Sequence, residues 1–460
     1  MAGPGTKVER GGMRDASSVI LYRREPLEIY LVRRPEQARF FPGHWSLPGG
    51  AVDVADGTPG SWEAFRRAAV REVEEELRVA APPGLDARLV PAGRALTPPF
   101  HTIRFNAQYF LMPCPEDWRP DPDPAELAGG GWFAPADALA RWQRREMRLP
   151  PPILHVVRTL ARPGGFDELA RLGDEVHAFP IELLPDIRLV PLEVATLPPA
   201  RHTNAFVLGH RQLAVVDPGA AGAALGPLVD TLDALQKEGA RVVMVLLTHH
   251  HADHVAGAAE IAQRYRAPLA AHGETVPRLG RGLVTMVLRD GQTLSLDAGT
   301  DRELRLEALH TPGHAPGHLA FLVRPHGVLL AGDLVSTMST ILIDPSEGDM
   351  GTYMRSLERC VRAAPEIVFP AHGPPDYGGA GLLSRTLEHR RMRERLVLDA
   401  LTEAPRTMEA ILPLAYHDTP PELHALAARS LEAHLRKLQA EGKARKGREG
   451  WSRAQAPSGR

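Results

Sequence analysis

Within His249-His250-His251-Ala252-Asp253-His254 stand three histidines, His249, His251 and His254, and an aspartate that could all serve one metal cluster. They follow the apolar run Val242 to Leu247, and a buried strand ending in such a cluster delivers its side chains to the mouth of a sheet. The bland alternative is a solvated histidine tract. Against it, three more apolar segments end in the same way. Leu304 to Leu309 runs into His310, His314 and His318; Val328 to Gly332 ends in Asp333; Ile367 to Ala371 ends in His372. Twenty histidines scattered over 460 residues would rarely fall at strand ends so often. The residue mix suits a dinuclear centre, because imidazoles bind borderline-soft cations and a carboxylate can bridge two ions. Two ions roughly 3.5–4 Å apart clamp attacking and leaving oxygens and make hydroxide available near neutral pH.

A second constellation lies earlier. The run Ser61 to Arg78 has helical periodicity, with Ala64, Phe65, Ala68, Ala69, Val73 and Leu77 as its apolar face and Ser61 as candidate N-cap. Glu72, Glu75 and Glu76 stand at i, i+3 and i+4 and share one face. Unscreened, they would repel and raise one another's pKa. A hard cation such as Mg²⁺, which takes oxygen ligands and holds substrate phosphates, would relieve this. An exposed acidic helix face is the commoner meaning of such charge alone.

Both constellations sit in wider patterns. Gly57, Glu63 and Arg71-Glu72-Val73-Glu74-Glu75-Glu76-Leu77-Arg78-Val79 resemble the Nudix box, G-x5-E-x7-R-E-U-x-E-E-x-G-U with U aliphatic. The resemblance implies hydrolysis of a pyrophosphate bond in a nucleoside diphosphate conjugate. It makes Glu72, Glu75 and Glu76 the ligands and catalytic carboxylates, has Arg71 hold them in place, and makes Glu63 the loop-to-helix glutamate. Arg78 replaces the late glycine of the box. A larger residue in a left-handed turn costs about 1 kcal/mol, and a helix running on toward Pro82 would avoid that turn. The stretch from Leu31-Val32-Arg33-Arg34 through Phe41-Pro42-Gly43 to Pro48-Gly49-Gly50-Ala51-Val52-Asp53 is similar to the Nudix subgroup that cleaves CoA-type pyrophosphates.

His249-x-His251-x-Asp253-His254, then His314, Asp333 and His372 in that order, resemble the metallo-β-lactamase superfamily. The resemblance implies one metal on His249, His251 and His314 and another on Asp253, His254 and His372, with Asp333 bridging. It makes Asp253 catalytic and Asp217 the aspartate that orients a ligand histidine. His318 falls in the Thr311-Pro312-Gly313-His314-x-x-Gly317-His318 loop of glyoxalase II-like members, with a loop-holding hydrogen bond as its expected role. His250 is expected to face the surface, and His310 has no assigned role.

The elements that must position these residues divide the chain. Strands are expected at 18–22, 27–32, 105–112 and 131–133, with helices at 135–139 and 153–160. A hairpin at 204–216 follows, then helices at about 221–238 and 255–265. The tail reads as a helix from His389, a second with Thr407 as N-cap, a third from Pro421 to Ala440, and a short wing around 443–451. That shape resembles the winged-helix domain that follows the hydrolase in a metallo-β-lactamase subgroup including single-strand-specific endoribonucleases. The expected architecture is therefore multidomain α/β. It comprises a Nudix α/β/α sandwich at 15–180, a metallo-β-lactamase αβ/βα sandwich at 186–380, and a winged helix at 381–453, with the first boundary near Ala178 to Pro191.

Composition bounds the rest. At 43% apolar, 24% charged and net charge −2, there is no global pull toward nucleic acid or membrane. Cys114 and Cys360 alone make no disulfide framework. Residues 1–18 lack an apolar signal segment, and no run approaches the roughly 20 apolar residues needed to span a bilayer. A cytoplasmic protein without a membrane partner is expected, with oligomerisation open. The expected function is a bifunctional hydrolase. A Mg²⁺ (or Mn²⁺) Nudix centre would act on a nucleotide or CoA-type substrate, beside a centre with two Zn²⁺ (or Mn/Fe). The tail modestly favours a phosphodiesterase or endoribonuclease for the latter, and its basic residues Lys437, Lys443, Arg445, Lys446 and Arg448 could meet single-stranded RNA. A tail that packs on the hydrolase fits equally well. The alternative function is a glyoxalase II-like thioesterase whose Nudix half is a non-catalytic ligand sensor.

Overall fold

The computed structural model describes residues 9–10, 12–38, 40–79, 88–101, 103–176, 180–280 and 282–454. The chain forms two compact units, Met1–Leu189 and Val190–Arg460.

The first unit is built on a mixed sheet. Met13–Arg24 and Arg104–Pro113 run parallel in unbroken register from Met13↔Arg104 to Tyr22↔Pro113. Leu27–Arg33 and Gly129–Phe133 extend it antiparallel. Alternation along Met13–Arg24 sends successive side chains to opposite faces. Val19 and Leu21 meet Phe65, Ala68 and Val73 of the helix Trp62–Leu77. Ile20 and Tyr22 meet Trp142, Leu154 and Val157 of the helices Pro135–Gln143 and Pro151–Leu160. The result is the expected helix–sheet–helix sandwich.

The helix Trp62–Leu77 begins as the sequence indicates, with Ser61 Oγ accepting Ala64 N–H. It does not run toward Pro82, which lies outside the described residues. Arg78 instead closes the helix in the left-handed conformation, φ 48° and ψ 34°. The turn made by the missing glycine is kept, and the arginine bears its cost, helped by an ion pair to Asp121. That pair is solvent-exposed and contributes little. Arg78→Gly is therefore expected to stabilise this unit by up to about 1 kcal/mol, read as a raised denaturation midpoint. A lowered midpoint would contradict this.

Within the second unit, one sheet runs through His202–Leu208, Gln212–Val216, Arg241–Leu246, Leu269–His272 and Met286–Leu288 in that order. The other carries Thr293–Leu296, Leu304–His310, Leu319–Arg324, Val328–Gly332 and Ile367–Pro370. These strands are heavily buried, as the apolar runs require. The helix expected over 221–238 opens with a 3-10 turn, Gly222–Leu225, before Gly226–Lys237. The one expected over 255–265 is split into Ala252–Val255 and Ala258–Tyr265. The break falls at Gly257, where a Cβ would press on Ala220 O.

The tail helices are Gly381–Ala400, Met408–Ala415 and His424–Ala440, followed by the antiparallel pair Ala444–Lys446 and Trp451–Arg453. The first starts eight residues before the expected His389, because its N-terminal half belongs to the hydrolase core. Leu382, Leu383 and Leu387 pack with Ile341 and Leu357, whereas Val397 and Ala400 pack with Ile411, Leu431 and Trp451. The basic run after His389 is partly internal, with Arg390 only 2% and Arg393 4% exposed.

His434 is fully buried on the last helix, 3.7 Å from Glu394 and close to Arg390 and Lys437. Burial, partly opposed by Glu394, drops its pKa to about 4. The unfolded chain would take up this proton first as pH falls through about 6.5. Stability is thus full above that value and declines toward pH 4, by on the order of 3 kcal/mol. His434→Gln should flatten the fall of melting temperature between pH 7 and 4.5; an unchanged slope would refute the assignment.

Candidate metal centres

Five strand ends converge in the second unit. His249, His251, His314 and Asp333 place their ligand atoms within 4.8 Å of one another, and so do Asp253, His254 and His372. His251 Nδ1 lies 2.9 Å from His249 Nε2 and 3.0 Å from His314 Nε2, so three imidazole nitrogens face one point. Asp333 stands between the groups. Its Oδ2 is 3.4 Å from His314 Nε2, while Oδ1 is 3.5 Å from His254 Nε2 and 3.3 Å from His372 Nε2. Asp253 Oδ2 lies 3.6 Å from His372 Nε2. These separations are long for hydrogen bonds, and Asp333 Oδ1 and His254 Nε2 are buried without a hydrogen-bond partner. Buried polar atoms are seldom left so, and a donor set of imidazoles and carboxylates around such atoms fits divalent cations.

The outward nitrogens are held. Asp217 Oδ2 accepts from His254 Nδ1 at 2.8 Å and from Thr248 Oγ1 at 2.6 Å, while its Oδ1 accepts Thr248 N–H at 2.8 Å. The Nδ1 atoms of His372 and His314 face the carbonyls of His202 and Leu342, each at 2.9 Å. His318, fully buried, bonds Thr311 Oγ1 at 2.8 Å and accepts Asp333 N–H at 3.1 Å. Gly332 is required beside it: at φ 51°, a Cβ would strike the His318 ring and Thr248. Burial and the neighbouring imidazoles hold His249 well below its ordinary pKa, and burial takes His314 to about 4. Burial also acts to lower His254, but Asp333 and Asp217 outweigh it and raise that pKa. Asp333 is held well below the carboxylate range, its burial outweighed by His372 and His254.

In the first unit the helix Trp62–Leu77 presents its carboxylates to a Gly-Gly strand. Arg71 bonds Glu72 at 2.8 Å and Glu75 at 3.0 Å through Nη1, Asp56 at 2.9 Å and 3.1 Å, and Ala51 O at 3.0 Å. Glu76 accepts Gly49 N–H at 2.9 Å. Gly50 leaves room for the helix, since a Cβ there would overlap the Glu72 carboxylate. Burial raises Glu72, and burial takes Glu76 to about 8, with Glu72 and Glu126 adding to the rise. Glu72 and Glu76 are poorly solvated while the Glu75 side chain is 59% exposed, and buried carboxylates of this kind fit a hard cation. Glu63 is not with them: it is exposed and paired with Arg67.

Comparison with known proteins follows the same division. Residues 198–372 match the family model described as the metallo-beta-lactamase superfamily, 407–451 the beta-lactamase associated winged helix domain, and 12–150 the NUDIX domain. A beta-lactamase-like protein 2 homolog of Drosophila melanogaster is 30% identical over 46% of this chain and 74% of its own length. The chain belongs to the metallo-beta-lactamase superfamily. An atrochrysone carboxyl ACP thioesterase of Passalora fulva is 29% identical over 60% of this chain and 84% of its own length. A beta-lactamase domain protein of Burkholderia ambifaria shares the fold, with TM-score 0.51 at 22% identity, covering 60% of this chain and 93% of the other. The metallo-beta-lactamase and Nudix families are hydrolases, and the chain is a hydrolase with a Nudix domain ahead of the metallo-beta-lactamase domain. Among the described residues no helix is long and apolar enough to cross a membrane.

The structure also brings in residues that motif reading passed over. Glu347 sits on the metallo-beta-lactamase domain's long connection after Gly332 and binds His251 Nε2 at 2.7 Å and His250 Nε2 at 2.9 Å. His250 is thus not a surface side chain, being only 14% exposed. His310 stacks on His272 with ring centres 4.0 Å apart. In the Nudix domain, Asp56 is buried beneath Arg71. Asp56 ends the 3-10 turn Val54–Asp56, just before Gly57, and it was within reach of a reading that asked what neutralises Arg71. Glu347 offered no such signal.

Proposed function

We propose a two-centre hydrolase. In the metallo-beta-lactamase domain His249, His251 and His314 hold one divalent ion, Asp253, His254 and His372 a second, and Asp333 serves both. The observation that carries this is Asp333, with one oxygen turned to each group and one of them buried and unpaired. Zinc, manganese or iron would suit the ligands. When bound, the pair supplies Lewis acidity and hydroxide near neutral pH. The chain's part is positional. Asp217 and the carbonyls of His202 and Leu342 take the outward ring protons, so that the inward nitrogens face the cluster as lone pairs. Asp253 orients the attacking water and receives its proton.

The bond we propose is an acyl thioester. The Passalora fulva relative is named a thioesterase, which favours it. In the tail Lys437 is largely buried, whereas Lys443, Arg445, Lys446 and Arg448 are exposed. Lys437 pairs with Glu394 at 2.7 Å and Glu441 at 2.6 Å, Lys443 pairs with Glu441 at 2.8 Å, and Lys446 lies over the Trp451 ring. In the Nudix domain Glu72, Glu75 and Glu76 hold Mg²⁺ or Mn²⁺ for pyrophosphate cleavage, with Arg71 and Asp56 fixing the first two. Arg78, the departure from the box that favours a non-catalytic sensor, keeps a left-handed backbone conformation, which supports an intact turn. An acyl-CoA contains both bonds, so one substrate class could engage both centres.

The test is a panel of acyl-CoA and acyl-carrier thioesters, single-stranded RNA, nucleoside diphosphate conjugates and β-lactams. Thioester cleavage lost in His251→Ala and kept in Glu75→Gln is the expected result. RNA cleavage that depends on His251, without thioester turnover, would replace this reading with the phosphodiesterase.

A further inference from the structure

The connection between Gly332 and Met350 contains no helix or strand, yet it holds the outward ring nitrogens of His314 and His251. Leu342 O takes His314 Nδ1, and Glu347 takes His251 Nε2 together with His250 Nε2. Part of its hold is local: Asp344 O accepts Glu347 N–H at 3.2 Å and Gly348 N–H at 2.6 Å, Asp349 N–H reaches Gly313 O at 2.8 Å, and Ile341 and Ile343 are buried in the hydrolase core. Further anchors come from the helices that follow. Arg390 of the helix Gly381–Ala400 donates to Ile341 O. From His424–Ala440, Arg429 pairs with Asp344 and Arg436 donates to Pro345 O at 2.6 Å. Arg429 and Arg436 are seven residues apart, on one face of their helix. Anchors and ligand contacts alternate along the segment: 341, then 342, then 344 and 345, then 347.

We propose that the winged-helix tail is a positioning element for the metal centre. Through Arg429 and Arg436 it helps to fix the segment 341–347, beside Arg390 from the helix shared with the hydrolase core, and through Leu342 O and Glu347 that segment orients His314 and His251. The tail thereby sets metal affinity at the His249/His251/His314 group. Glu347 is a positioning residue: it touches the outer nitrogen of His251, whose Nδ1 faces the cluster. Exposed arginine pairs are individually weak, so the three act as a set, with Arg390 buried against Tyr353 at 5.3 Å as the firmest. Partners of this kind orient metal-bound histidines, and losing one typically weakens metal binding about 10–100-fold.

This inference rests on the metal-site reading above, and the experiment separates the two. Zinc affinity of the full chain is measured by chelator competition, and the site's geometry by the absorption bands of the Co²⁺-loaded protein. Arg429→Gln/Arg436→Gln and Glu347→Ala should each weaken metal binding about tenfold or more and shift the Co²⁺ bands. Arg429→Lys/Arg436→Lys should recover part of the loss. Adding Glu347→Ala to the arginine pair should cost less than the sum, because both act along one path. Lys446→Ala, on the wing, should change nothing. If the double variant does not fold, Arg436→Gln alone is read the same way. Affinity within twofold of wild type and unaltered bands in the arginine variants, while His249→Ala loses metal, would overturn the proposal. Absence of metal binding by the wild type would instead overturn the metal-site reading.

Discussion

Asp333→Asn is expected to lower hydrolysis by the metallo-beta-lactamase domain by on the order of 10³-fold or more and to reduce its metal content. The carboxylate is the one anion shared by the two ligand groups, 3.3–3.5 Å from the Nε2 atoms of His254, His314 and His372. An amide keeps its shape but gives up the charge and turns a donor N–H toward one of these sites. Asp333 N–H would still reach His318, as its backbone is unchanged. The domain should therefore stay folded, which circular dichroism would show. Metal content equal to wild type with undiminished turnover would mean that Asp333 is only a buried counter-charge for the histidines.

Glu76→Gln should abolish pyrophosphate cleavage by the Nudix domain, by on the order of 10²–10³-fold or more, and leave the metallo-beta-lactamase activity intact. Glutamine retains an oxygen to accept Gly49 N–H. It removes a carboxyl that burial has already pushed to about 8, so the apo-domain should be no less stable. A variant that loses turnover without losing stability identifies Glu76 as a ligand and not a structural support. Nucleoside diphosphate conjugate turnover that survives in Glu76→Gln would exclude it from the centre.

What the sequence disclosed follows from how its signals are stored. The ligands His249 to His254 are contiguous and directly follow an apolar strand, so type and spacing appear together. His314, Asp333 and His372 each stand within four residues of a strand end, where apolar runs mark their place. The helix Trp62–Leu77 was legible from its periodicity and Ser61. Arg78 could be noticed as a departure, but whether the helix ran on or turned left-handed depends on what packs beyond Leu77. The tail's first helix was placed late because Leu382, Leu383 and Leu387 serve a different core from Val397 and Ala400. Glu347 left no trace in the sequence. It lies 96 residues from His251, in a segment without periodicity, and only tertiary folding brings them together.

The central claim is a dinuclear centre shared through Asp333. Anomalous diffraction from crystals of the zinc-loaded chain tests it most directly. The account predicts two metal peaks roughly 3.5–4 Å apart, one against His249, His251 and His314, the other against Asp253, His254 and His372, with Asp333 between them. No peak at these residues, or metal bound only elsewhere on the chain, would contradict it.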